Sequence, residues 1–446
     1  MRIDKLKVQN FRCFEEATFD FHPQFNLLVG ENASGKTTVL DALSVAAGSW
    51  FLGLGGHDTR HIREDDVRKV YYKNPFLSTL EPQYPVSVAA EGAVPGLLLP
   101  DEPGRWSREI ENAGGKTRFK NATWIKKVAS EAEKRVRRGE AVRLPLIAYY
   151  GAGRLWVPAK DMEGGDADKD APPPSRLDGY KTSIDPRISF PALFRWLAHE
   201  KYVALQNKEE RHPFRVVKEA MRSCLEGCAS LDYDVDATTL MVKMERGEEL
   251  PYSLLSDGQR AMLALVADIA VKAALLNPQL DEAVLLDTDG VVLIDELDLH
   301  LHPRWQRHVV SDLKRTFPKI QFFASTHSPQ VIGETPHEEI ILLKNDGTWT
   351  RPEVSIGLHS NEVLVAIMGA PTINREAAED FESIARLIDD GNFEGAETRI
   401  DKARAKLGNV PELEASEVYM ERIDLLASDE DSEEDPDESA DEATPS

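Results

Sequence analysis

The sequence predicts an α/β fold in which a sheet carries a glycine-rich loop, followed by an all-helical C-terminal arm. A buried apolar strand at 25–29 runs into that loop and then into a helix at 36–47. The last third of the chain alternates strands and helices again, with strands at 291–295 and 320–324. After residue 360 the apolar spacing is helical throughout.

The remaining elements follow from the same periodicities in chain order. Strands are predicted before the glycine loop, within a long segment that follows the first helix, and directly before a Gly-Ala-Gly-Arg turn at 151–154. These predicted strands are 3–11, 17–21, 86–90, 106–110, 144–150 and 340–343. The predicted helices are 122–138, 190–206, 214–225, 258–276, 302–317, 374–390, 394–407 and 413–426, and 158–176 is predicted as a loop rich in Pro, Gly and Asp.

The composition of this 446-residue chain, with 41% hydrophobic and 29% charged residues, is typical of a soluble globular protein. Its apolar runs are too short to span a bilayer, so a cytoplasmic protein without a membrane partner is expected. The net charge of −24 is unevenly placed, because residues 427–446 hold ten carboxylates and no Lys or Arg, which leaves −14 for the rest. We expect that acidic tail to be disordered.

The glycine-rich loop has the GxxxxGKT pattern of a phosphate cradle. Glycines let backbone N–H groups approach phosphate oxygens, and the following helix presents its positive dipole end to the anion. Lys36 is predicted to bridge the β- and γ-phosphates of ATP, and the Thr37 hydroxyl to bind Mg²⁺. The predicted nucleotide contacts here are Gly30, Glu31, Asn32, Ala33, Ser34, Gly35, Lys36, Thr37 and Thr38.

An apolar strand at 291–294 delivers two consecutive carboxylates at its C-terminal end, where ligands of open α/β sheets gather. Successive strand side chains point to opposite faces, so the two carboxylates have different roles. Asp295 is predicted to hold Mg²⁺ through water, and Glu296 to polarise the attacking water. Alone, such a pair is also compatible with two solvated charges.

Two further motifs complete the predicted site. Ser256, Gly258 and Gln259 begin an apolar helix, and their hydroxyl and N–H groups suit a γ-phosphate, although the same residues alone describe an ordinary helix N-cap. Combined with the cradle, they predict a composite site that closes between two copies of the chain. His327 follows the strand at 320–324, and it is either a catalytic contact to the γ-phosphate or a structural histidine.

These motifs resemble the SMC/RecF-like branch of ABC ATPases. Residues 8–14 (VQNFRCF) are similar to the start of that branch, and residues 296–303 (ELDLHLHP) to its segment after the acidic pair, so the resemblance covers roughly 1–50 and 250–345. It implies an ABC-type P-loop ATPase head that dimerises around ATP and Mg²⁺. It also implies that Asn10 and Arg12 lie near the nucleotide, although either side chain is equally compatible with a structural role.

A narrower resemblance is to the PtuA-like ATPases of Septu and retron antiphage systems. It rests on residues 53–68 (GLGGHDTRHIREDDVR), 148–156 (AYYGAGRLW), 296–306 (ELDLHLHPRWQ) and the final helical hairpin. It implies a homodimer or higher homo-oligomer that regulates a separate HNH-type, PtuB-like nuclease, and no nuclease domain is visible in this chain.

The sequence departs from the ABC pattern in three places. Asp257 stands in the signature where transporters usually have glycine, and a carboxylate near a bound anion would repel it. His300 and His302 occupy the loop after the acidic pair. A glutamine of the Q-loop type is not identifiable, and the turn that ends at Arg154 is a candidate for its place.

The predicted organisation is an ATPase core, an insertion, a helical lobe, an arm and a tail. Their boundaries are 1–50 with 251–355, 51–150, 151–250, 356–427 and 428–446. The arm is interpreted as a docking element or as a helical cap on the sheet edge. The alternative function is a RecF-like, ATP-gated DNA-binding repair protein, for which the basic helix at 124–138 is either a nucleic-acid surface or a mixed-charge face.

Overall fold

The computed structural model describes residues 1–73, 77–97, 104–154, 175–186, 190–371 and 373–430, and the chain divides into two compact units, 1–368 and 369–446. Its strands are β1 Arg2–Phe11, β2 Phe14–Asp20, β3 Phe25–Gly30, β4 Lys69–Lys73, β5 Ser78–Pro82, β6 Val86–Ala93, β7 Gly104–Ile110, β8 Leu146–Tyr150, β9 Cys228–Asp234, β10 Thr239–Met244, β11 Glu249–Pro251, β12 Gly290–Ile294, β13 Ile320–Ser325, β14 Ile340–Leu343 and β15 Trp349–Thr350. Its α-helices are α1 Lys36–Gly48, α2 Thr123–Arg137, α3 Phe190–Asn207, α4 His212–Ser223, α5 Asp257–Leu276, α6 Val284–Asp287, α7 Pro303–Gln306, α8 Val309–Thr316, α9 Pro329–Gly333, α10 Ser360–Ala366, α11 Arg375–Asp389, α12 Phe393–Leu407 and α13 Pro411–Glu430.

A six-stranded sheet with the order β15-β14-β3-β13-β12-β8 forms the centre of the first unit, and all its neighbouring strands are parallel except the β14–β15 pair. The strands β12 and β13 are buried along their whole length, which is why they are continuous apolar runs in the sequence. The register places Ile294 beside Ala324 and Tyr150. The segments that follow β12, β13 and β8 therefore leave the sheet at one edge, where ligands bind in such folds.

The segment predicted as an insertion at 51–150 is continuous with the core. Its strands β6 and β7 complete an antiparallel sheet with the order β2-β1-β6-β7, in which Val8 pairs with Val88. Its last strand, β8, is the edge strand of the central sheet. The predicted boundary at residue 50 therefore cuts across two sheets.

The lobe at 151–250 contains more β-structure than its predicted helical character. It combines α3 and α4 with an antiparallel sheet of β11, β10 and β9. The helix predicted at 302–317 is wrong as one element, because it is divided into α7 and α8. The N–H of His308 donates to the carbonyl of Trp305 at 3.0 Å, a three-residue spacing that closes α7 as a tight turn.

The second unit contains α11, α12 and α13, which confirms the predicted helical C-terminal region. A separate apolar core holds the three helices together, and its buried members include Ile384, Ile400 and Leu413. The helix α13 continues to Glu430, past the predicted end at 426. The predicted loop at 158–176, apart from its last two residues, and the tail from 431 onward lie outside the described residues. None of the helices in the described ranges is long and apolar enough to cross a membrane.

Candidate functional site

The glycine-rich loop joins the buried strand β3 to helix α1 and folds around one lysine. The Lys36 ammonium donates to the carbonyls of Gly30 and Glu31, both at 2.8 Å. Gly35 has a φ of 100°, and a Cβ there would lie 2.7 Å from Cζ of Phe14. Both the backbone conformation and the close approach therefore require glycine.

The carboxylate of Asp295 connects this loop to the acidic strand end. The Thr37 hydroxyl donates to Oδ2 of Asp295 at 3.1 Å, and the Ser325 hydroxyl donates to Oδ1 at 2.5 Å. Burial lowers the pKa of the Lys36 ammonium, and the nearby carboxylates, Asp295 first, act in the opposite direction. A hydroxyl and a carboxylate that converge beside a phosphate cradle are the oxygen ligands that Mg²⁺ takes, so the residues present fit that ion.

Glu296 follows with a φ of 51°, in the left-handed region. Its N–H donates to the Ser325 hydroxyl at 2.8 Å. The guanidinium of Arg154, a residue of the predicted turn at 151–154, donates to the carbonyls of Asp295 and Glu296 at 2.7 and 3.0 Å. The turn at 151–154 therefore contacts the acidic pair through the Arg154 side chain and the backbone carbonyls of the two acidic residues.

The segment after β13 is held by Asp298, a residue that the sequence analysis missed. The Thr326 hydroxyl donates to the Asp298 carboxylate at 2.6 Å, and the N–H of His327 donates to the same oxygen at 3.3 Å. The backbone of His327 is thereby fixed next to the acidic pair. The imidazole remains exposed at the cleft, where a phosphate oxygen could be contacted.

These elements enclose one cleft of about 310 Å³. The structure brings together most of the predicted loop, the acidic pair, His327 and Arg12, and adds Ser325 and Cys13. The lining residues are Arg12, Cys13, Asn32, Ala33, Gly35, Lys36, Thr37, Thr38, Asp295, Glu296, Ser325 and His327.

Arg12 and Asn10 differ in their relation to the cleft. The Arg12 guanidinium pairs with Asp41 of α1 at 2.5 Å and with Asp66 at 2.9 Å, so it lines the cleft while it connects β1 to α1. Burial lowers the pKa of Arg12, but the two carboxylates outweigh that effect and raise it. Asn10 instead donates to the carbonyl of Pro85 at 2.9 Å, and it is absent from the described lining of the cleft.

The signature residues stand outside this cleft. Ser256 caps helix α5, since its hydroxyl accepts from the N–H of Gln259 at 3.3 Å and its own N–H donates to Oε1 of Gln259 at 3.0 Å. Gly258 packs so closely on the loop after the acidic pair that a Cβ would lie 2.5 Å from the His300 carbonyl. Asp257 pairs with Arg260, which offsets the charge that the sequence placed near the anion. Among the described residues that line the cleft of one chain, none belongs to the signature.

Besides Cys13, which lines the cleft, three residues that hold the site together were not predicted as functional candidates: Ser325, Asp298 and Asp41. Each acts through a contact with a distant segment. Ser325 was visible in the Ser-Thr-His string, and Asp298 in the string after the acidic pair, but neither string indicates which backbone or carboxylate its side chain contacts.

Known proteins resemble the chain over most of its length. A family model described as an AAA domain matches residues 5–228. The Retron Ec83 probable ATPase of Escherichia coli is 28% identical over 82% of this chain and 75% of its own length. The Septu protein PtuA of Bacillus mycoides is 28% identical over 77% of this chain but only 41% of its own length. A solved SMC head, bound to the C-terminal winged-helix domain of ScpA, aligns with 80% of this chain and 98% of its own at 17% identity and a TM-score of 0.47.

The match to the family model spans half of the sequence and includes the phosphate cradle with its lysine and threonine. The relatives extend the similarity beyond that half, across the acidic pair and the signature. The chain therefore belongs to the AAA domain family, among relatives named as retron ATPases and Septu PtuA proteins.

Proposed function

We propose that this chain is an ABC-type ATPase that dimerises around ATP and regulates a separate HNH-type nuclease in antiphage defence. The observation that carries the proposal is the convergence of Lys36, Thr37, Asp295 and Glu296 on one cleft. Relatives that are named as a retron probable ATPase and as Septu PtuA support the defence context.

In hydrolysis, the Lys36 ammonium exchanges its two loop carbonyls for the β- and γ-phosphate oxygens. Thr37 and Asp295 hold Mg²⁺, which neutralises phosphate charge when it is bound. Glu296 accepts a hydrogen bond from the attacking water and orients it. His327, which follows β13 and lines the same cleft as the acidic pair, contacts the γ-phosphate.

The exposed signature turn supports a composite site. Ser256 and the first N–H groups of the 20-residue helix α5 form an anion-binding helix start. Ser256 and Asp257 are exposed on the surface, and the described lining of the cleft of their own chain includes neither of them. In the proposed dimer, Ser256 of one copy faces the γ-phosphate that is held by Lys36 of the other.

The negative charge of the second unit supports the proposal that the protein partner is basic. Residues 369–446 contain 7 Lys and Arg against 24 Asp and Glu, so a net charge of −17 of the chain's −24 lies there. A groove of about 600 Å³ between α12 and α13 has the apolar residues Phe393 and Met420 among its lining. Its other lining residues are Glu397, Asp401, Glu417 and Glu421, of which only Glu417 forms an ion pair in the described part of the chain. We infer that the nuclease presents a basic amphipathic helix to this groove.

Glu296→Gln is expected to retain ATP binding and to trap a tightly associated dimer, because the water is no longer polarised while the phosphate contacts remain. ATP turnover and size-exclusion chromatography with ATP and Mg²⁺ test this. Glu248→Gln, at an exposed carboxylate between strands β10 and β11, is the matched control and should behave as the unmodified protein. Undiminished hydrolysis by Glu296→Gln would show that another group orients the water.

Reversing the groove charges with Glu397→Lys, Asp401→Lys and Glu421→Lys is expected to abolish co-purification with an HNH nuclease encoded beside this chain, while ATP turnover persists. The control reverses three exposed carboxylates of the same unit outside the described lining, Asp389→Lys, Asp390→Lys and Glu394→Lys. If both triple variants lose the nuclease to the same extent, the loss is explained by the change in net charge and not by the groove. Retention in both would place the docking surface elsewhere.

One observation favours the DNA-binding alternative. Residues 116–138 contain nine Lys and Arg against two Glu in a chain that is otherwise strongly acidic. Five of these cations, Lys116, Lys120, Lys126, Lys127 and Lys134, form no ion pair in the described ranges. The half-exposed Phe119 ring lies 5.5 Å from the Lys126 ammonium and offers a stacking surface for a base.

A salt titration separates the two functions. If the five lysines contact phosphates, the logarithm of the duplex-DNA association constant falls with the logarithm of salt concentration with a slope of about −4 to −5. Fluorescence anisotropy with Lys126→Glu/Lys127→Glu measures the loss, and Lys243→Glu/Arg246→Glu, outside the patch, is the control. Absence of DNA binding by the unmodified protein excludes the DNA-binding alternative.

A further inference from the structure

Arg154 lies where strand β8 ends and its chain turns back under the acidic pair. The N–H of Asp295 donates to the carbonyl of Tyr150 at 2.7 Å, so β8 and β12 stay paired up to this point. The N–H of Arg154 then donates to the Gly151 carbonyl at 3.1 Å, which closes a tight turn. That turn buries the Arg154 side chain to 2% exposure beneath Asp295 and Glu296.

The guanidinium holds the peptide groups on both sides of the Glu296 backbone. One terminal nitrogen donates to the Asp295 carbonyl at 2.7 Å, and the other donates to the Glu296 carbonyl at 3.0 Å. In an extended strand, consecutive carbonyls point in opposite directions, so one side chain cannot bind both. Here the left-handed conformation of Glu296, with a φ of 51°, is what turns the two carbonyls toward the same fork.

That conformation is unfavourable by itself. A non-glycine residue in the left-handed region costs about 1–3 kcal/mol and persists only where its surroundings determine it. Three contacts oppose the cost at Glu296: its N–H donates to the Ser325 hydroxyl at 2.8 Å, and its carbonyl accepts from the Arg154 guanidinium and from the N–H of Leu299, both at 3.0 Å. Ser325 fixes the N–H side of the residue, and Arg154 and Leu299 fix its carbonyl. Arg154 also binds the Asp295 carbonyl, so it sets the two peptide groups relative to each other and with them the direction in which the Glu296 carboxylate leaves the backbone.

We propose that Arg154 is a positioning residue for hydrolysis, which holds Glu296 in the left-handed turn that aims its carboxylate into the cleft. The inference rests on the proposed role of Glu296. Arg154 is absent from the described lining of the cleft, so it acts through the Glu296 backbone and does not touch the nucleotide. This positioning requires the planar guanidinium of arginine, because a lysine ammonium would reach only one of the two carbonyls at a time.

Steady-state kinetics of Arg154→Met, Arg154→Lys and Arg176→Met test this. Arg176 is the matched control, since its guanidinium also donates to backbone carbonyls, those of Leu276 at 2.8 Å and Val142 at 2.5 Å, away from the cleft. Arg154→Met is expected to lower kcat about 100-fold with KM changed less than about threefold, and to accumulate the ATP-bound dimer as Glu296→Gln does. Arg154→Lys should lose about tenfold in kcat, and Arg176→Met should keep its turnover.

A kcat of Arg154→Met within twofold of that of Arg176→Met would overturn the inference, as would a rise in KM that accounts for the whole loss. If Arg154→Met does not fold, as judged by thermal unfolding, Arg154→Lys decides, and a turnover equal to that of the unmodified protein refutes the positioning role. Glu296→Gln is measured in parallel. A slow Glu296→Gln with a fast Arg154→Met refutes the inference alone, whereas a fast Glu296→Gln refutes the proposed function.

Discussion

The carboxylate of Asp295 is the contact on which the site depends. It accepts hydrogen bonds from Thr37 at the start of α1 and from Ser325 at the end of β13, while its own backbone directly follows β12. Three segments that are far apart in the sequence therefore meet at one group. The parallel register of the central sheet makes this possible, because it brings the carboxyl ends of the three strands β3, β12 and β13 to the same edge.

From that contact outward, the site is built from backbone as much as from side chains. The Lys36 ammonium donates to the carbonyls of Gly30 and Glu31, and the Arg154 guanidinium donates to those of Asp295 and Glu296. These carbonyls belong to the last residue of β3 or to residues that directly follow β3 and β12, so the backbone that the sheet anchors holds both cations without the ordering of further side chains. In the proposed dimer, a nucleotide meets this preformed cradle on one side and the signature turn of the second copy on the other.

The sequence predicted the parts of the site that are local. The cradle, the acidic pair and the cap at Ser256 are short strings whose spacing follows from a strand, a turn or a helix start. The pairing of β6 with β1 was missed, because the alternation at 86–90 shows a strand but not its neighbour. Arg154 contacts Asp295, which is 141 residues away in the sequence, and Asp41 contacts Arg12, which is 29 residues away. A single sequence carries no signal for such pairs. The small sheet of β9 to β11 was not predicted, although β9 and β10 have seven and six residues, because these strands follow a strongly helical stretch.

The central claim is that one nucleotide is held by two copies of the chain, and a mixing experiment tests it most directly. Lys36→Ala removes the cradle lysine and Ser256→Arg blocks the signature turn, so each variant alone has no complete site. In a mixture, every mixed dimer has one intact cradle facing one intact signature, and turnover should recover to about a quarter of that of the unmodified protein. A mixture that shows only the summed residual activities of the two variants would contradict the account.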